Sequence, residues 1–349
     1  MSKNQMIPII LDGSFTRLAE IDDFISFIWT TRYYTSGDFE LCADITRADV
    51  LKVGYYVQRK DDEHLGIIEA IKYQKTEEAQ EMIIASGRLL PALLARRVIS
   101  SQTQLNGLVS ECIGALISEN AINPVNAART IPGLTFTNTA TNTDTMEAQY
   151  TGENLLETIS SICETYGIGM DCTLNDNNGF DFVLYDGVDR SYNQSENPYV
   201  VFSDKYDNLL TSEYDENYSE FVTDVLVGGE GEGVNRTMIW SAKDTQSGLN
   251  RYEMFLDAQS AVTNDHIITQ ATYEKQLEGL GLEQVTEYTA AFSGEVDFTG
   301  VELGIDINVG DICTIENDRW QMFINSRLVE AIESIDESGA YSAVPTFGT

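Results

Sequence analysis

Residues 24–45 read FISFIWTTRYYTSGDFELCADI, and they set Ile25, Phe27, Trp29 and Tyr33 on one row against a mixed row of Ser26, Thr30 and Arg32. A period of two belongs to a strand with one face in a core. TSGD, residues 35–38, supplies turn residues before FELCADI resumes the pattern. The stretch therefore predicts a β-hairpin, and with it a chain whose first hundred residues are β. A second hairpin is expected in YYVQRKDDEHLGIIEAIKYQK, residues 55–75, with the charged segment Arg59 to His64 as its tip.

After position 86 the periodicity changes. SGRLLPALLARRVIS has helical spacing, with Pro91 in the opening turn, where a missing N–H costs little. In LNGLVSECIGALISEN, Leu105, Leu108, Val109, Cys112, Ile113, Leu116 and Ile117 form one helical stripe. GENLLETISSICETYG repeats this with Leu155, Leu156, Ile159, Ile162, Cys163 and Tyr166, and a glycine ends it. MDCTL and FDFVLYDG then flank the turn NDNNG as strands. Strands are expected again around LLTSEYDE, FVTDVLVGG, RTMIWSAK, TAAFSGEVDF, DICTIEN and RWQMFINSRLVEAIESI, with a helical insertion over about residues 251–281.

The expected fold class is α+β, mainly β. Three regions follow: a β-rich unit over 1–104 ending in a junction helix, a small α+β unit over 105–203, and a second β-rich unit over 204–349 that carries the insertion. No fixed-period repeat is present, although two β-rich regions around a different unit hint at duplication.

Charge and composition exclude several functions. The net charge of −35, from 21 basic and 56 acidic residues, repels polyanions and argues against a nucleic-acid binder. The apolar run near the N-terminus is only Met6 to Leu11, and no segment approaches the roughly 20 apolar residues of a membrane span. A soluble chain made in the cytoplasm, without a membrane anchor, is the expectation. Cys42, Cys112, Cys163, Cys172 and Cys313 are odd in number and lie in apolar pattern, which suits reduced core thiols.

The chemical motifs fail on their own terms. VLVGGEGEGVNR, residues 225–236, invites a phosphate-loop reading, but Val234 and Asn235 stand where a Walker loop needs Lys and Ser or Thr, and Val234 replaces the last glycine of a dinucleotide fingerprint. It reads as a glycine-rich turn or bulge between strands. LNDNNGF resembles a calcium loop, yet Leu174 and Tyr185 would occupy the first and last ligand positions. His64 and His266 form no HExxH motif, no GxSxG elbow exists, and carboxylate pairs are too many to choose among. No catalytic residue, metal or cofactor is expected. Arg88, Arg96 and Arg97 stand out against the acidic background, either as cations for carboxylates of another domain or subunit or as a solvated helix end.

Several segments, in order, resemble the hub protein of phage tail baseplates, the tail-associated family of long-tailed phages and related contractile injection systems. They are ILDGSFTRLAEIDDFISFIWTTRYYTSGDFEL, SGRLLPALLARRVI, VLVGGEGEGVNR, DINVGDICTIEN and the terminal AVPTFG. The resemblance spans nearly the whole chain. It implies two tube-type, β-barrel-like domains per subunit and a homotrimer that presents six pseudo-equivalent positions to a hexameric tail tube. It further implies a tail tube or distal tail protein above, a tip, spike or tape-measure protein as the other partner, and phage DNA passing through without specific binding. The location implied is the tail baseplate of the virion, after assembly in the bacterial host cytoplasm. Arg88, Arg96 and Arg97, with Trp29, Tyr33 and Tyr34, are the candidate subunit-interface residues from pattern alone, with ordinary intradomain core as the nearer expectation for Trp29. The chain stops at FGT directly after the hub-like segment, so cell-wall cleavage and host recognition are expected of other chains. The rival expectations are an acidic peptidoglycan- or carbohydrate-active enzyme and a glycan-binding adhesion module.

Overall fold

The computed structural model describes residues 6–60, 62–75, 81–244, 246–259, 269–286, 290–293, 301–317 and 319–348. The first β-rich stretch holds β1 (Pro8–Leu11), β2 (Arg17–Glu20), β3 (Ser26–Arg32), β4 (Asp38–Asp44), β5 (Tyr56–Arg59), β6 (Leu65–Lys75) and β7 (Glu81–Leu89). A mixed region follows with β8 (Thr103–Leu108), α1 (Val109–Ile117), β9 (Leu134–Asn138), β10 (Thr145–Tyr150), α2 (Leu155–Tyr166), β11 (Gly169–Leu174) and β12 (Phe180–Tyr185). The remainder holds β13 (Val201–Ser203), β14 (Glu213–Glu216), β15 (Asp224–Gly228), β16 (Met238–Ser241), β17 (Glu253–Asp257), α3 (Gln270–Leu282), β18 (Ala290–Ser293), β19 (Ile312–Asn317), β20 (Met322–Asp336) and β21 (Tyr341–Gly348).

The opening hairpin forms as its alternation requires. β3 and β4 pair antiparallel with Phe27 opposite Leu41 and Trp29 opposite Phe39. All four side chains lie in one core together with Ile68 and Ile83 of the neighbouring strands. Gly37 closes the turn where a Cβ would sit 1.9 Å from the Thr30 carbonyl oxygen, so the tight approach requires glycine. β5 and β6 form the second hairpin around Arg59 to His64.

Strands from both β-rich stretches share a single 13-stranded sheet, in the order β14-β18-β21-β20-β3-β4-β7-β6-β5-β1-β2, with β13 and β19 branching from β20. The junction is β20 against β3, in register from Glu330 opposite Arg32 to Asp336 opposite Ser26. The expected barrel-like closure is corrected here: among the described residues no sheet closes, and β20 pairs with β3 of the first stretch on one side while β21 lies on its other side. Among the described residues β2 and β14 are the ends of the main path, and β13 ends the branch.

Three local expectations are also corrected. The junction helix is a 3-10 turn over Leu90–Arg96, with Pro91 in its opening turn, and Arg88 belongs to β7. Ladder bonds to β4 and β6 hold residues 86–89 extended against their helical spacing. Leu105 and Leu108 lie in β8, paired with β10, so the first helix begins only at Val109. The insertion expected over 251–281 is a strand followed by a helix: β17 pairs parallel with β15, its Met254 and Leu256 turned towards the core. Helix α3 starts at Gln270, and His266 lies outside the described residues.

Leu90, Leu93 and Leu94 of the 3-10 turn sink into one continuous core with α1, α2 and the strands of the mixed region. A separate small core of Val225, Val227, Tyr273 and Leu277 holds α3 on the three-stranded sheet β16-β15-β17.

Candidate functional site at a three-way junction

Tyr33 stands directly after β3, where the first, middle and last thirds of the chain meet. Its backbone N–H donates to the Val329 carbonyl at 2.9 Å, and its own carbonyl accepts from Met170 N–H at 2.9 Å. The ring is fully buried and lies edge-on to Tyr185, 5.3 Å away, and to Tyr34, 4.8 Å away. The Arg327 guanidinium stacks 4.9 Å above it and donates to the Gly310 carbonyl at 2.6 Å. Gly169 and Gly310 press against the same ring: a Cβ would come within 2.1 Å and 2.5 Å of it.

Beside this joint lies a cleft of about 420 Å³ walled by Arg32, Arg59, His64, Asp171, Glu333 and Tyr341. Its cations are each held by carboxylates, and Glu63 and Glu302 add further acids to the lining. Arg32 bridges Glu330 and Asp38 at 2.6 Å each. Arg59 pairs with Glu333, both about 7% exposed, and the Tyr341 hydroxyl donates to the same carboxylate at 2.8 Å. His64, on the tip of the second hairpin, is held between Asp62 and, at 2.9 Å, Asp171 of β11. Burial opposes its charge, but the two carboxylates outweigh that and raise its pKa to about 11, so it is a cation at neutral pH and no general base.

The remaining candidates are equally engaged. The five cysteines are free and buried, and burial pushes the thiols up, Cys163 to about 12, which leaves them protonated and unreactive. In the glycine-rich turn, Arg236 folds back to donate to the Gly229 carbonyl at 3.0 Å and the Gly228 carbonyl at 2.8 Å, and it pairs with Asp257. That turn presents carbonyls to its own arginine, which is the opposite of an anion cradle. Asn175 accepts from the backbone of Asn177 and Gly179 in the NDNNG hairpin turn. Among the described residues no group of three His, Cys, Asp or Glu side chains is arranged to hold a metal.

Of the arginines singled out in the sequence, Arg88 and Arg97 are engaged within the chain. Arg88 makes a two-pronged pair with Glu69 of β6, at 2.8 Å and 2.9 Å. Arg97 donates to the Arg129 and Arg96 carbonyls, fastening the junction turn to the mixed region, and Arg96 is exposed. Trp29 and Tyr33 have no exposed surface to offer a second subunit, because this chain's own core covers both, and Tyr34 is half-buried beside Tyr33. Sequence reading missed Arg59–Glu333 and His64–Asp171: their partners lie 274 and 107 residues apart, and no local pattern links them.

A sequence model of the Siphovirus ReqiPepy6 Gp37-like protein family matches residues 7–349. The chain belongs to that family. Members of its fold include the tail protein of Neisseria meningitidis MC58, 12% identical, with a TM-score of 0.60 over 98% of this chain and 96% of that one. Prophage tail protein gp18 of Listeria monocytogenes EGD-e is 11% identical, with a TM-score of 0.57 over 99% and 94%. The 43 kDa tail protein of Shewanella oneidensis prophage MuSo2 is 14% identical, with a TM-score of 0.58 over 98% and 98%. No functionally curated protein matches the sequence. The chain is thus Gp37-like by family, and its fold is one that these tail proteins share. Among its described residues no helix is long and apolar enough to cross a membrane.

Proposed function

We propose that this Gp37-like protein is the hub of a phage tail baseplate: a homotrimeric ring that adapts a hexameric tail tube to the trimeric tip and encloses part of the DNA path. The observation that carries this reading is the open 13-stranded sheet, which draws on both β-rich stretches and, among the described residues, leaves β2 and β14 without an outer partner. An open edge is a template for another chain, and head-to-tail contacts between identical chains close into rings. The two edges also differ in charge. β2 carries Arg17, with Lys60 nearby on Glu20, whereas β14 carries Glu213, Asp215 and Glu216.

In this reading, 1–104 and most of 204–349 form the ring, and the 105–203 unit stands outside it. A tail tube or distal tail protein caps one side, and a tip, spike or tape-measure protein the other. Carboxylates from the −35 net charge line the lumen and keep DNA from adhering in passage. The role is structural rather than enzymatic. His64 is held as a cation and the buried thiols stay protonated, so these groups do not serve as base or nucleophile.

Light scattering with negative-stain imaging across a concentration series tests the reading. A ring of three times 38.8 kDa that loses mass in an Arg17→Glu variant is the expected result. A compact monomer at every concentration counts against it.

A further inference from the structure

Helix α3 lies between two bodies. On one side Tyr273 and Leu277 pack on Val225 and Val227, and a Cβ on Gly281 would come within 2.3 Å of the Ser241 hydroxyl. On the other, Gly279 sits so close to β10 that a Cβ would lie 2.5 Å from the Glu147 carbonyl oxygen. Near the end of α3, Glu283 forms part of the wall of a cavity of about 280 Å³ and accepts a hydrogen bond from the Tyr150 hydroxyl of β10.

The electrostatics of this contact are one-sided. Glu283 caps the C-terminal end of α3, where unpaired carbonyls already carry partial negative charge. Glu153, just past β10, adds a like charge, and Glu278 lies on the same cavity wall. From α2 the cavity receives Tyr166, which Asp144 also faces. Lys275 is the cation on that wall, and it pairs with Glu147 at 3.3 Å. Among the described residues the Glu283 carboxyl thus meets one neutral hydroxyl and no cation of its own. Burial raises its pKa, the Tyr150 hydrogen bond offsets part of this, and Glu153 adds to it, giving about 7 against an ordinary 4.5.

We propose that Glu283 is a proton-operated latch: neutral, it stays buried between the end of α3 and β10, and ionised, it draws the contact open towards water against the hydrogen bond from Tyr150, so that α3 and the three-stranded sheet swing off the mixed region. The sign follows from linkage. A carboxyl with a raised folded pKa contributes stability that is complete below pH 4.5 and is lost as pH rises through about 7. This inference is independent of the hub reading, because its readout is a contact within one chain.

The test is amide hydrogen exchange of the full-length protein at pH 5.5 and 8.5, corrected for intrinsic rates, with the β3–β4 hairpin as internal reference. A rise from 4.5 to about 7 bounds the effect at roughly 300-fold, and partial exposure of the carboxyl reduces the expectation to about tenfold more opening of α3 and β10 at the higher pH. Glu283→Gln keeps an acceptor for Tyr150 and removes the proton, so its α3 exchange becomes independent of pH. Wild-type exchange that does not change with pH, or a Gln variant that keeps the step, overturns the proposal. Tyr150→Phe provides a second variant: it removes the donor that favours the carboxylate, so the step moves to higher pH, and an unmoved step is again fatal.

Discussion

Removing Glu333 takes a carboxylate away from Arg59 in a site only about 7% exposed. Breaking such a buried pair costs about 3–5 kcal/mol. Glu333→Gln should therefore lower the midpoint of urea denaturation strongly, whereas Arg88→Met, at the more exposed pair with Glu69, should shift it little. His64 gives the second prediction at this scale. Its raised pKa contributes stability that is complete below pH 6.5 and disappears as pH rises through about 11. Asp62, lowered to about 2 by His64 against the effect of burial, contributes stability that is present above pH 3.8 and lost as pH falls through 2. Wild type should out-melt His64→Gln from about pH 4 to 9, with the gap narrowing towards both extremes. Equal melting temperatures at pH 7 would contradict the clamp.

At the scale of elements, α2 shows what sequence can deliver. Asn154 caps its first turn by accepting from Leu156 and Glu157, and it also donates to the Ala95 carbonyl at 2.8 Å. Gly167 ends the helix in a left-handed conformation, φ 69°. Asn154→Ala should cost about 0.5–2 kcal/mol in thermal unfolding, towards the upper end because the tie to Ala95 goes with the cap. These signals are local, so the helix was legible together with the β3–β4, β5–β6 and β11–β12 hairpins. What failed was decided from outside the segment. Arg88 sits in helical spacing yet follows the ladder between β4 and β6, and residues 253–257 follow β15. The Tyr33 joint was half-legible: a large buried aromatic could be read from the alternation, but Gly169, Gly310 and Arg327, its actual neighbours, could not.

For the whole molecule, net charge is the dominant variable. At −35 each copy repels the next, and counterions screen that repulsion with a length of about 10 Å at 0.1 M salt. The proposed ring should thus gain mass by light scattering as salt rises from about 0.02 M to 0.3 M, a range over which screening lengthens or shortens several-fold. Weaker association at the higher salt would mean that attraction between oppositely charged edges outweighs the overall repulsion.

The pairing of β20 with β3 also places a demand on synthesis. Arg32 waits for Glu330, 298 residues later. At about 5–20 residues per second that interval is roughly 15–60 s on the ribosome. Throughout it, the edge of β3 carrying Trp29 has no native neighbour on one side, so a nascent chain of this protein spends most of its birth as an unfinished sheet. Holding that edge until the last strands emerge is a task for the translation machinery and its chaperones, and the yield of native protein should depend on elongation rate as much as on the stability of the finished fold.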